Sequence, residues 1–138
     1  MSLVVDSSVA LTWCFEDERT AATTTLLHRI ADAGALAPAL WPLEVLNGLA
    51  MAERRKRIDT AQRQRLAGFL RDLPVTLDGE TAAQAWTATA HLAERFRLTL
   101  YAAAYPKLAQ PLGLPLATLG QDLRTAATTL GVPLLGKD

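Results

Sequence analysis

Asp6 closes a short apolar run, Leu3-Val4-Val5, and is followed at once by Ser7, Ser8 and a helical stretch. A carboxylate at a strand tip is a natural ligand for Mg²⁺ or Mn²⁺, which take oxygen donors and keep several waters. Its competing role is to cap the first helix. Glu44 and Asn47 lie three residues apart and share a helix face. Leu43, Val45, Leu46 and Leu49 surround them, and a glutamate among so many apolar neighbours is costly unless paired, metal-bound or placed at an opening. The competing role is a first-turn acid facing the helix dipole, with Asn47 solvated. Thr118 ends a later strand, where its hydroxyl can bond a carboxylate or a phosphate, or cap the following helix. Ser7 and Ser8 have the same two uses.

Arg54-Arg55-Lys56-Arg57 is a compact basic run at the end of the Glu44 helix. It can grip an RNA backbone, or compensate the dipole of a solvated helix end. Arg95 and Arg97 make a weaker basic pair. His28 and His91 are isolated and read as structural, and Trp13, Trp41 and Trp86 read as core or interface. No phosphate loop, dinucleotide fingerprint, CxxC or HExxH motif is present.

The elements that must position these residues follow from periodicity and turn chemistry. Short strands are expected at Leu3–Val5, Leu36–Pro38, Pro74–Leu77, Leu114–Thr118 and Val132–Leu135. Helices are expected from Val9 to Phe15, from Glu16-Asp17-Glu18 to Gly34, from Leu43 to Arg55, from Asp59 or Thr60 to Arg71, from Asp78 to Phe96, from Thr99 to Gly113 and from Asp122 to Gly131. Strands alternating with helices predict an α/β fold with a parallel sheet and helices on both faces. Ligands of such sheets bind beyond the strands' carboxyl ends, so Asp6, Glu44 and Thr118 can converge on one edge.

The chain has 138 residues, enough for one domain (1–138) with a real core. Fourteen basic residues balance fourteen acidic ones, so nucleic-acid contact has to come from local patches. Cys14 is alone and cannot form an internal disulfide, and no apolar run is long enough for a bilayer. A cytoplasmic protein without a leader segment is expected.

Four stretches in order, Val4-Val5-Asp6-Ser7-Ser8-Val9, Pro42-Leu43-Glu44-Val45-Leu46-Asn47-Gly48-Leu49, Leu98-Thr99-Leu100-Tyr101 and Leu114-Pro115-Leu116-Ala117-Thr118-Leu119, resemble the PIN-domain proteins. The likeness is strongest to the VapC-type toxins of bacterial toxin–antitoxin pairs, and it covers essentially the whole chain. It implies a three-layer α/β/α fold around four or five short parallel strands. It also implies an endoribonuclease that cuts RNA with Mg²⁺ or Mn²⁺, a cognate antitoxin, and a homodimer, with the apolar early helices around Trp13, Phe15, Leu26 and Leu27 as docking surface. Asp6 and Glu44 match two members of the family's acidic quartet, with Ser8, Asn47 and Thr118 as supporting polar residues. The other two acids are replaced by Ala102 and Gly120. Asp122, two residues beyond Gly120, points elsewhere on its helix and is a poor substitute. The resemblance therefore implies weak or absent cleavage in this chain, or a non-catalytic module that binds RNA or an antitoxin.

Overall fold

The computed structural model describes residues 2–138. Five parallel strands, β1 (Val4–Val5), β2 (Ala35–Pro38), β3 (Val75–Asp78), β4 (Leu116–Ala117) and β5 (Leu134–Leu135), form one sheet in the order β3-β2-β1-β4-β5. The helices are α1 (Ser7–Thr12), α2 (Ala21–Ala33), α3 (Trp41–Arg54), α4 (Thr60–Asp72), α5 (Thr81–Gln84), α6 (Ala90–Phe96), α7 (Leu100–Leu112) and α8 (Gln121–Leu130). A π-helical segment, Ala85–Thr89, joins α5 to α6. Leu3, Val4, Val5, Leu116 and Ala117 are fully buried, so the central strands are apolar on both faces, as a covered parallel sheet demands.

The chain builds outward from β1 to β3, then returns to place β4 on the other side of β1. The order therefore reverses between β1 and β4, and an α/β sheet opens its ligand crevice at such a reversal. Val5 pairs with Ala117 there, so Asp6 and Thr118 follow directly on adjacent strand tips.

Several boundaries differ from those expected. Ser7 and Ser8 lie inside α1 rather than capping it, and Asp6 takes the cap position without a side-chain cap bond. Glu16–Glu18 form a separate 3₁₀ turn instead of opening the second helix. That helix starts at Ala21, where Thr20 and Thr23 bond each other's backbone in a capping box. Asp17 and Glu18 instead hold the guanidinium of Arg57 at 3.0 and 2.8 Å, and Arg57 also stacks on the Phe15 ring at 4.3 Å. These exposed ion pairs are worth about as much as the dipole preference they replace, each up to roughly 1 kcal/mol. Trp13, Phe15 and Leu26 are buried in the core and Leu27 packs partly against it, so they are not a free docking surface. Trp86, in contrast, is 86% exposed.

Candidate active site

Asp6 is 6% exposed, yet its carboxylate is well supplied with donors. Ser8 and Thr118 each donate a hydroxyl to Oδ2 at 2.7 Å, and Ser7 donates to Oδ1 at 3.3 Å. These hydroxyls are themselves held. Ser8 Oγ accepts from the Leu119 amide at 3.0 Å, and Thr118 Oγ1 accepts from the Gly120 amide at 3.1 Å. The network joins the tips of β1 and β4 to the start of α8. Arg124 on α8 fastens the next tip, donating from one nitrogen to the carbonyls of Thr118 at 2.7 Å and Leu135 at 3.1 Å.

Glu44 arrives from the first turn of α3. Gly48, one turn further along the same helix, lets α3 close on α1, because a Cβ there would meet the Leu11 side chain at 2.6 Å. The half-buried Glu44 carboxylate accepts a hydrogen bond from the hydroxyl of Tyr105 on α7. Burial raises the Glu44 pKa above its ordinary 4.5 and the charge of Asp6 adds to the rise, while hydrogen bonds from Tyr105 and Ser7 oppose it. The Tyr105 phenol is pushed up as well, by burial first and then by Asp6 and Glu44, so it stays a proton donor. Tyr105 was not apparent as a site residue in sequence. The signal was present in a tyrosine embedded in the apolar stretch Ala102–Leu108, because a buried phenol has to find a partner.

The raised Glu44 value has a pH consequence. The folded chain holds this proton more tightly than the unfolded chain does. Its contribution to stability is therefore full below about 4.5 and is lost as pH rises through the folded value. Glu44→Gln is expected to remove that decline, so urea unfolding should show the variant gaining on the native chain from acid to neutral pH. A constant difference across that range would exclude the burial of Glu44 as the cause.

Ala102 sits at the third position of α7, one turn before Tyr105 on the same face, and its amide is capped by Thr99 Oγ1 at 3.0 Å. Gly120 is the N-cap residue of α8, which has no side-chain cap bond. Gly120 thus stands beside Thr118, and Ala102 lies on the helix face that carries Tyr105. Asn47 is exposed on α3, and Asp122 is exposed in the first turn of α8. Neither has a side-chain partner among the described residues. Arg54, Arg55 and Lys56 are exposed at the end of α3, whereas Arg57 is committed to Asp17 and Glu18.

Residues 3–128 match the family model described as the PIN domain, and the chain belongs to the PIN-domain family. It is also similar to a solved structure described as the crystal structure of PAE2754 from Pyrobaculum aerophilum. The TM-score is 0.68 at 22% identity, covering 95% of each chain, which is a likeness of fold. No curated protein matches the chain. PIN domains are in general a nuclease fold that uses divalent metal ions, and they often bind RNA or antitoxins. No helix among the described residues is long and apolar enough to cross a membrane.

The residues present do not fit a tightly held divalent cation. Among the described residues no three of His, Cys, Asp or Glu come together as a possible metal site. Asp6 Oδ2 and Glu44 Oε1 each accept from hydroxyl donors, with which a cation would have to compete. Two carboxylates with waters can hold a hydrated Mg²⁺, but more loosely than a cluster of three or four acids.

Proposed function

We propose that this chain is a VapC-type PIN protein, a single domain over residues 1–138, whose endoribonuclease centre is disabled by the replacement of two acids. The observation that carries this reading is the placement of the changes. Asp6 accepts from Thr118 at the sheet's reversal point, the charge of Asp6 is felt at Glu44, and Ala102 and Gly120 lie at the starts of α7 and α8. In an intact centre of this type, clustered carboxylates hold Mg²⁺ or Mn²⁺, which activates water against an RNA phosphodiester. Here Asp6 and Glu44 are the surviving catalytic and metal positions, Ser8, Thr118 and Asn47 the supporting ones, and Asp122, two residues beyond Gly120, is a poor substitute for either lost acid. The partners proposed are RNA, a cognate antitoxin and a second copy of the chain, in the cytoplasm. Of the basic run, Arg54, Arg55 and Lys56 remain for RNA.

A second reading, a non-catalytic module that binds RNA or an antitoxin, draws support from the hydroxyl donors that engage both carboxylates. One assay separates the two. Structured RNA is incubated with Mg²⁺ or Mn²⁺ and either the native chain or the Ala102→Asp, Gly120→Asp variant. Cleavage by the restored variant alone is the expected result. Metal binding by the variant without cleavage would sink the nuclease reading and leave the module.

A further inference from the structure

The two acids of the cluster are held in unequal ways. Asp6 sits at a strand tip, and hydroxyls reach it from Ser7 and Ser8 beside it and from Thr118 on the next strand tip. Glu44 rides on α3, which packs chiefly on α1 and α4 rather than on the sheet. Its chain neighbours Leu43 and Val45 offer no side-chain donor. A glutamate side chain is among the richest in rotamers, so holding one orientation needs a partner.

The Tyr105 hydroxyl is that partner. It donates to Glu44 Oε1, and Ser7 adds a weaker bond. The Tyr105 ring is fully buried and belongs to the main core. Packing therefore locks its rotamer and fixes where the phenol oxygen stands. The helix that carries it, α7, lies against β1, β2 and β4. The bond thus ties the acid of α3 to the frame of the sheet, on which Asp6 stands. Tyr105 engages one of the two carboxylate oxygens of Glu44.

We propose that Tyr105 is a positioning residue of this centre: it holds Glu44 by Oε1 and leaves Oε2 to the cation that the centre would bind. The inference rests on the nuclease reading above and adds to it a residue outside the acidic set. A donor that orients a carboxylate ligand is a common support of metal sites, and removing such a support typically costs ~10–100-fold in metal affinity. The competing role is a structural tyrosine that only satisfies its own buried hydroxyl on the nearest acceptor.

Tyr105→Phe keeps the ring and removes only the hydroxyl, so the fold is expected to survive. Three-bond NMR couplings of the Glu44 β protons are expected to show one rotamer in the native chain and averaging in the variant. In the Ala102→Asp, Gly120→Asp background, Tyr105→Phe is expected to weaken Mn²⁺ binding ~10–100-fold, and to change nothing further once Glu44→Gln is also present, the mark of an effect that runs through Glu44. Leu108→Ala, a core change on the same helix, is expected to lower the melting temperature and leave the Mn²⁺ affinity as it was, which separates positioning from mere packing. A single Glu44 rotamer in Tyr105→Phe would overturn the inference. So would an unchanged Mn²⁺ affinity, or an equal loss in the Glu44→Gln background. If the Ala102→Asp, Gly120→Asp variant binds Mn²⁺ no better than the native chain, it is the nuclease reading that fails. The rotamer measurement, made without metal, then decides on Tyr105 alone, averaging supporting its role and a fixed rotamer ending it.

Discussion

Replacing Ala102 and Gly120 together by aspartate is expected to raise affinity for Mn²⁺ at least ~100-fold, read by calorimetric titration against the native chain. Loss of a group that only supports a metal ligand typically costs ~10–100-fold, and on the proposed reading the double variant restores two direct ligands. The fold offers both positions. Ala102 lies in the first turn of α7, where the helix dipole favours an acid, and it shares a face with Tyr105, which reaches Glu44. Gly120 has φ −69° and ψ 121°, a conformation open to any residue, so its backbone does not require glycine. A Cβ there would stand 3.5 Å from Thr118 Oγ1, an ordinary contact, and Thr118 is the residue that holds Asp6. Aspartate at this position would also cap α8, which lacks a side-chain cap. The smaller chain entropy of a non-glycine residue favours Gly120→Asp by roughly 0.5–1 kcal/mol, and repulsion from Asp6 in the absence of metal opposes that gain. Each single variant should recover only part of the metal affinity. An unchanged Mn²⁺ affinity in the double variant would show that the two positions do not face the Asp6–Glu44 pair.

The route from sequence to site was open where local chemistry and topology agree. Asp6 after Leu3-Val4-Val5 and Thr118 after Leu116-Ala117 mark strand tips, and a parallel α/β sheet brings such tips to one edge whatever their separation in the chain. Glu44 was legible for a related reason: an acid among apolar neighbours in a helix's first turn is costly unless paired, and the Tyr105 hydroxyl pairs it. The features that escaped are those set by partners far away in sequence. The acids at Glu16–Glu18 have the composition of a helix start, but Arg57, some forty residues on, draws Asp17 and Glu18 into a 3₁₀ turn. Trp13 and Phe15 could equally have been surface or core by type. Burial of Trp13 follows from an acceptor that no local pattern reveals, the Thr23 carbonyl at 2.7 Å. Trp86 reads as core or interface by residue type, and its 86% exposure on the π-helical segment rules out the core.

Asp6→Ala is expected to lower the stability of the native chain by about 2–3 kcal/mol, a fall in melting temperature of roughly 6–12 °C for a domain of this size. The sign of that change says what the cluster has become. In a working centre, crowded carboxylates are kept at the expense of stability, and removing one often stabilises the fold. In this chain Asp6 instead accepts from Ser8 and Thr118 at 2.7 Å, and Thr118 is fully buried. Hydrogen bonds to a charged acceptor are worth about 1.5–3 kcal/mol, and a buried donor left without one costs about 1–3 kcal/mol. The opposing effect is relief of the Asp6 charge, which adds to the rise that burial causes in the Glu44 pKa. It is the smaller of the two, because Glu44 is half exposed to solvent and is also held by Tyr105. Asp6→Asn keeps the shape and one acceptor, and the serine and threonine hydroxyls can rotate to accept from its amide, so its loss should be smaller than that of Asp6→Ala. Thr118→Val should lose stability too, since it removes both a donor to Asp6 and the acceptor for the Gly120 amide. If thermal unfolding shows Asp6→Ala to be more stable than the native chain, the carboxylate is being held against the preference of the fold. Selection would then still be acting on it as a ligand or catalyst, despite Ala102 and Gly120.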